Sequence, residues 1–233
     1  MGTLDGKTVV VTGATRGIGR SLAVRLSAEG ARLGLCGRDE AALVELEGEL
    51  QTPVVTAAFD LSHEPPALEF LAKVSSELGG IDVLVNNAGF NPRKAPVAEV
   101  ATEEFDSILA VNLRAPFLLM RETAREMKER GSGHVINILS TVCHSDMATM
   151  GAYTAAKEGL RALTNVFRKE VLEDGIRVTA IYPGGTDTDF RPNSRPDYMK
   201  PSSVADAVLT ALTLPEDLVV HELTFRPMVE NNF

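Results

Sequence analysis

Residues 7–26 read KTVVVTGATRGIGRSLAVRL, and this stretch decides the fold. Lys7–Thr12 is a β-branched run without alternation, as in a strand covered on both faces. Gly13, Gly17 and Gly19 follow at once, and then Ile18, Leu22 and Leu26 recur at the spacing of a helix. A strand therefore turns sharply into a helix through residues that lack a Cβ. Such a turn lets backbone approach an anion at the helix N-terminus, where unpaired N–H groups and the positive dipole end meet it. The spacing is GxxxGxG rather than GxGxxG. Its position after the first strand points to the pyrophosphate of a dinucleotide.

The same alternation continues along the chain. Further strands are expected at Ala31–Cys36, Val54–Phe59, Val83–Asn86, His134–Leu139, Arg177–Tyr182 and Leu218–Phe225. Helices are expected at Ile18–Ala28, Glu40–Leu50, Leu68–Leu78 and Ser202–Leu212, with a long one at Gly151–Asp174 closed by Gly175. Thr102–Arg130 is long for one helix, and Pro116 predicts a break or a new start near Asn112–Pro116. The pattern specifies an α/β protein, a doubly wound (Rossmann) seven-stranded parallel sheet with helices on both faces. With 233 residues and no linker or repeat, one dinucleotide-binding and catalytic domain over residues 1–233 is expected. Residues 190–200, FRPNSRPDYMK, read as an irregular substrate loop.

Composition narrows the function classes. Hydrophobic residues make up 44% and charged residues 24%, an ordinary globular balance. A formal charge of −9 argues against a nucleic-acid surface. Cys36 and Cys143 have no CxxC spacing, and His63, His134, His144 and His221 form no ligand-spaced cluster, so no metal site is expected. No apolar stretch approaches membrane-span length, and the N-terminus lacks a signal-peptide profile. A cytoplasmic protein without a membrane partner is the expectation.

Two cations bear on the cofactor. Arg16 lies in the glycine turn, and Arg38 follows the second strand, where the adenosine ribose would sit. NAD sites place a carboxylate there, whereas NADP sites offer arginine to the 2′-phosphate. Position 37 is glycine, and Asp39 reads as the N-cap of the next helix. NADP(H) is therefore expected in preference to NAD(H). Tyr153 and Lys157 stand four apart in GAYTAAKEGL, on one helix face. Ser140 precedes Tyr153 by thirteen residues, and NNAG spans Asn86–Gly89. Together these features read as a carbonyl–alcohol oxidoreductase using a nicotinamide cofactor.

TGATRGIG, NNAG, Asn112 in VNLRAPF, Ser140, YTAAK and the Pro183–Gly184 turn occur in one order along nearly the whole chain. In that set the sequence resembles the short-chain dehydrogenase/reductase family, in its compact single-domain subgroup of 3-oxoacyl-carrier-protein-reductase-like enzymes. The resemblance implies Asn112, Ser140, Tyr153 and Lys157 as the catalytic set. It implies cofactor contacts from Gly13, Thr15, Arg16, Gly17, Ile18 and Gly19 in the turn, and from Arg38. Asp60 and Leu61 would meet the adenine, and Asn87, Ala88 and Gly89 the adenosine ribose. Val111 would border the cofactor, Tyr153 and Lys157 would touch it too, and Pro183, Gly184, Thr186 and Thr188 would orient the nicotinamide carboxamide. Asn86 is expected to be a buried brace between strands. The family usually has a bulky residue where Gly185 stands, so a looser loop is expected here. A homodimer or homotetramer is implied, with a short segment before the last strand leaving the tetramer open.

The implied chemistry follows from ordinary side-chain properties. A tyrosine titrates near pH ~10, and a neighbouring ammonium favours its phenolate. Tyr153 would then exchange a proton with the carbonyl or alcohol oxygen, Ser140 would bond that oxygen, and Asn112 would place a water in a relay to Lys157. A small-molecule substrate, a ketone or 3-oxoacyl group with its secondary alcohol, is the leading reading. Two alternatives stand beside it: an NAD-linked polyol or sugar dehydrogenase, and a non-catalytic dinucleotide-binding protein. Residues 90–96, 141–150 and 190–199 would shape the substrate site. They bring Arg93, Lys94, His144, Met147, Met150, Arg191, Arg195 and Tyr198. Their basic members would either attract an anionic substrate or acidic carrier, or simply be solvated. The 190–199 loop is a candidate lid.

Overall fold

The computed structural model describes residues 2–190, 193–215 and 217–230. Seven strands form one parallel sheet: β1 Thr8–Thr12, β2 Arg32–Gly37, β3 Val54–Ala58, β4 Val83–Asn86, β5 Gly133–Ile138, β6 Ile176–Pro183 and β7 Glu222–Phe225. Their order across the sheet is β3-β2-β1-β4-β5-β6-β7. The chain leaves β1 toward one edge and returns beside it as β4, so the order reverses there. In such sheets ligands bind in the crevice at this reversal, outside the carboxyl ends of the strands.

Helices cover both faces. On one lie α1 Gly17–Ala28, α2 Glu40–Glu49 and α7 Pro201–Leu212, which pack Leu22, Leu26, Leu43, Leu46 and Val208 against the inward side chains of β1 and β2. On the other lie α3 Glu64–Leu78, α5 Ala115–Arg130 and α6 Gly151–Glu170, with Phe70, Val74, Leu119, Met120 and Leu160 in the core. All five residues of β1 are buried, which is why its sequence shows no alternation. Complete burial of each valine there stabilises the fold by roughly 1.5–3 kcal/mol relative to exposure. Among the described residues no helix is long and apolar enough to cross a membrane.

Several boundaries differ from the sequence expectation, each for a local reason. Pro65 and Pro66 sit inside the first turn of α3, where a missing N–H costs nothing, so the helix begins at Glu64. Helix α6 stops at Glu170, and Gly175 instead supplies a left-handed turn at φ 71° just before β6. β7 is confined to Glu222–Phe225, shorter than expected at its N-terminal end.

The expected break before Pro116 is a widening. Helix α4, Thr102–Leu109, runs through a π-helical turn at Ala110–Arg114 directly into α5. The backbone N–H of Ala115 bonds the carbonyl of Ala110, one residue wider than an α-helix. Pro116 has no N–H to give the carbonyl of Asn112 four residues back. The helix thus absorbs the proline without kinking apart.

Candidate active site

The glycine turn is built so tightly that side chains cannot enter. Gly13 has φ 67°, and a Cβ there would lie 2.9 Å from the Cα of Ala88. A Cβ on Gly19 would stand 2.1 Å from the carbonyl oxygen of Gly13. The N-terminus of α1 has no side-chain cap and no acid in its first turn. Its unpaired N–H groups are therefore left for an anion. Thr12 closes the floor of this cradle. Its hydroxyl accepts from the N–H groups of Asn87 and Ala88, both at 3.0 Å. Asn87 returns a bond from Nδ2 to the carbonyl of Thr12 at 2.9 Å. Asn86, expected as a brace between strands, does join them: its Nδ2 donates to Oδ1 of Asn137 at 2.8 Å.

Arg16 and Arg38 are exposed at the mouth of the cradle, and neither forms an ion pair among the described residues. Arg38 lies 5.9 Å from the centre of the Phe90 ring. Asp39 caps α2, accepting from the Ala42 N–H at 3.0 Å, so it is spent on the helix. Asp60 accepts from the Ser62 N–H at 2.8 Å. Partial burial works against its charge, but the Ser62 bonds and the nearby Arg38 outweigh this and hold its carboxyl below the usual range. Leu61 is buried beside it. Among the described residues no cluster of histidine, cysteine and acidic side chains could hold a metal ion.

Helix α6 carries Tyr153 and Lys157 on its buried face, 8% and 3% exposed. The Lys157 ammonium lies 5.8 Å from the centre of the Tyr153 ring and donates to the carbonyl of Ile138, at the end of β5, at 2.8 Å. Two of its three N–H donors remain. Burial pulls its pKa down to about 8. Ser140 follows β5 and opens a short 3-10 turn over Thr141–Cys143; its Oγ accepts from the Val142 N–H at 3.3 Å, which leaves its own hydroxyl proton to donate. Cys143, half-buried beside Lys157, is held as a neutral thiol: burial first, then Glu158, push it up to about 11.

Asn112 lies in the π-helical turn, fully buried. Its carboxamide is committed: Nδ2 donates to the carbonyls of Phe90 at 2.7 Å and Ile108 at 2.9 Å, and Oδ1 accepts from the Phe90 N–H at 3.1 Å. It therefore ties the segment after β4 to the helix. Its backbone carbonyl is the group released by Pro116. Val111 stands beside it in the same turn.

The remaining predicted residues border this cleft. Pro183 ends β6, and the Gly184 N–H bonds the carbonyl of Phe225 at 2.8 Å. Thr186 is buried, and a Thr188 methyl would lie 3.2 Å from a Cβ on Gly17, so this segment reaches the phosphate turn. The looser loop expected at Gly185 is not what forms. The Tyr198 ring fills the space that a side chain would take, its nearest atom 2.3 Å from the position of a Cβ. Glu230 caps the Gly185 N–H at 3.0 Å. Nothing in the sequence near Gly185 announces Glu230, which is 45 residues away.

Phe190 opens the 190–199 stretch expected to shape the substrate site, and its ring lies 5.8 Å from that of Tyr153, a contact that spacing did not indicate. Of the residues expected around the substrate, Met150 is buried against Tyr153 and Val142, and Met147 is 42% exposed. His144 faces Thr224 at 3.2 Å and stacks near Tyr182. Arg191 lies outside the described residues. Thr149, just before α6, is held at φ 69°, an uncommon backbone for a β-branched residue; its carbonyl accepts from the Ala95 N–H at 2.9 Å.

Residues 7–199 match the short chain dehydrogenase family. The chain belongs to that family. An uncharacterized oxidoreductase of Staphylococcus epidermidis is 32% identical over 234 residues, covering 98% of this chain and all of the relative. A metagenomic short-chain oxidoreductase solved in complex with NADP superposes with a TM-score of 0.88 at 35% identity, covering 98% of this chain and 100% of the other. The closed form of a serine dehydrogenase complexed with NADP+ gives 0.90 at 28% identity, with 96% of each chain covered. As a short chain dehydrogenase, the protein is an oxidoreductase of the Rossmann-like class.

Proposed function

We propose that this protein is an NADP(H)-dependent oxidoreductase that interconverts a carbonyl, in a ketone or 3-oxoacyl group, with its secondary alcohol. The observation that carries the reading is the buried ammonium of Lys157 beside the Tyr153 ring. A lysine is costly to bury unless its charge is used. Here it faces a phenol whose proton transfer it would assist.

The cradle of Gly13, Gly17 and Gly19 suits a pyrophosphate, and the uncapped start of α1 offers it N–H donors. Thr15 and Ile18, flanking these glycines, would contact the same group. Arg16 and Arg38 would take a 2′-phosphate, and the NADP held by two structurally similar relatives supports that preference. Asp60, Leu61, Asn87, Ala88, Gly89 and Val111 would line the adenosine side, and Thr186 and Thr188 the carboxamide side. When bound, a reduced nicotinamide supplies hydride.

The protein's own groups handle the proton. Tyr153 would protonate the developing alkoxide in reduction, or accept the alcohol proton in oxidation. Ser140 would donate to the same oxygen and stabilise its charge. Lys157, with two donors left, would hold the ribose hydroxyls and keep positive charge by the phenol. Asn112 would seat a relay water through its backbone carbonyl, because its carboxamide is already used.

The test is a panel of ketones and 3-oxo esters with NADPH, followed by cofactor absorbance, on the wild type and Tyr153→Phe. The variant should lose turnover by about 10³-fold while NADPH binding, read by fluorescence titration, persists. Retained turnover in the variant would refute the acid–base role.

A further inference from the structure

Resting on that reading, we propose that the substrate end of the cleft takes a neutral, apolar carbonyl compound, with Phe190 as the specificity-determining wall, rather than a carboxylate or an acidic carrier. The first support is the surface next to the phenol. The Phe190 ring lies 5.8 Å from the Tyr153 ring and would touch a Cβ on Gly89 at 3.7 Å. It is 41% exposed, so it faces the open side of the cleft. Behind Tyr153, Val142 and Met150 are buried against it. Apart from the Lys157 ammonium assigned above to the phenol and ribose, the polar groups here among the described residues are neutral: Ser140, and Asn91, whose Nδ2 donates to the Met150 sulfur at 3.4 Å.

The second support is where the cations go. Sequence alone leaves Arg93 and Arg195 free to recruit an anion. In the structure Arg93 places Nε and Nη2 on one oxygen of Glu104, at 3.1 and 2.9 Å, and Nη2 also bonds the Glu99 carbonyl. Arg195 pairs with both oxygens of Asp197 at 3.2 and 3.1 Å, and stacks 4.2 Å from the Tyr198 ring centre. Lys94 is left without an ion pair among the described residues, on an exposed stretch where water screens it. Asp189, next to Phe190, is exposed and offers a carboxylate no counter-charge. Among the described residues, a carboxylate laid against Phe190 and Met150 would shed water and gain no fixed counter-charge beyond Lys157, which is already engaged at the phenol.

The experiment measures kcat/KM with NADPH on matched pairs that differ by one charge: an aryl ketone against its ring carboxylate, and a 3-oxo ester against the free acid. A 3-oxoacyl thioester on a small neutral thiol is compared with the same acyl group on an acidic carrier protein, and serine is tried with NADP+. The neutral member should exceed its charged partner by about 100-fold. Phe190→Ala should raise KM for the aryl ketone about tenfold, by loss of one aromatic contact, and raise KM for a small aliphatic ketone by less. Arg93→Ala should change neither member of a pair. Equal or better turnover of the carboxylate, the carrier-bound acyl group or serine would overturn the proposal and leave the oxidoreductase reading standing. So would a selective loss of carboxylate turnover in Arg93→Ala. No consumption of bound NADPH with any member would overturn the oxidoreductase reading itself, and the proposal with it.

Discussion

The two ends of the cleft are made differently. The end proposed for the phosphates is backbone: a strand, three glycines and a helix start, all within residues 8–19, braced by Thr12 against Asn87 and Ala88. The end proposed for nicotinamide and substrate is side chains from five distant stretches. Tyr153 and Lys157 come from α6, Asn112 from the π-helical turn, Ser140 from the turn after β5, Phe190 and Tyr198 from the loop, and Glu230 from near the C-terminus. A site made of backbone tolerates no added atom, because nothing can rotate away. A site made of side chains can lose one member and keep the others. The first kind should fail as a whole under substitution, and the second one function at a time, as when Tyr153→Phe loses turnover and keeps NADPH binding.

The sharpest way to break this contrast is Gly19→Ala. Its Cβ would meet the Gly13 carbonyl at 2.1 Å, so the turn must shift, and a shift of about 1 Å in a positioning element can cost about 100-fold. NADPH affinity should fall by that order, measured by titration on a variant whose circular dichroism remains native. Unchanged affinity would show the turn to be deformable. Arg38→Ala tests one of the two charged side chains, with Arg16, proposed for the phosphate end. A hydrogen-bonded charge contributes about 1.5–3 kcal/mol, so KM for NADPH should rise some 10–100-fold while KM for NADH stays put. An equal rise for both cofactors would remove Arg38 from the 2′-phosphate.

The next prediction sharpens the substrate end. Burial depresses the Lys157 pKa to about 8, so its charge is present below that pH and is lost above it. Ketone reduction should be level in kcat/KM below pH ~8 and fall about tenfold per unit above it. A profile level to pH 10 would mean the ammonium is not needed. The smallest effect is expected from Tyr198→Ala, which opens the space beside Gly185 while Glu230 still caps the Gly185 N–H. A loss of a few-fold in kcat/KM, with cofactor affinity intact, fits a site of separable parts. Collapse of cofactor binding in this variant would erase the distinction between the two ends.

Legibility follows the same division. Strand β1, the glycine turn and α1 could be read directly, because their causes are local: continuous burial removes alternation, and a turn without room for Cβ demands glycine. The Asp39 cap and the Asn86 brace were legible for similar reasons, one from its place before a helix and one from its place at a strand end. The Tyr153–Lys157 pair could be placed on one face from spacing alone. Pro116 announced an irregularity but not its form, since a proline can end a helix or be absorbed by a wider turn. Which happens depends on what holds the helix on either side, and Asn112 does so by gripping Phe90 from another element.

The amino-acid sequence by itself determined the strand–turn–helix units, the glycine turn and the placing of Tyr153 and Lys157 on one helix face. All of these arise from interactions within one strand–turn–helix unit or one helix face. Only the tertiary structure decided that Gly185 is firmly packed, that Phe190 stands against the phenol, and that Arg93 and Arg195 are neutralised by Glu104 and Asp197. Those outcomes depend on which side chains meet across space. A charge or a missing side chain takes its meaning from the neighbour that folding brings to it.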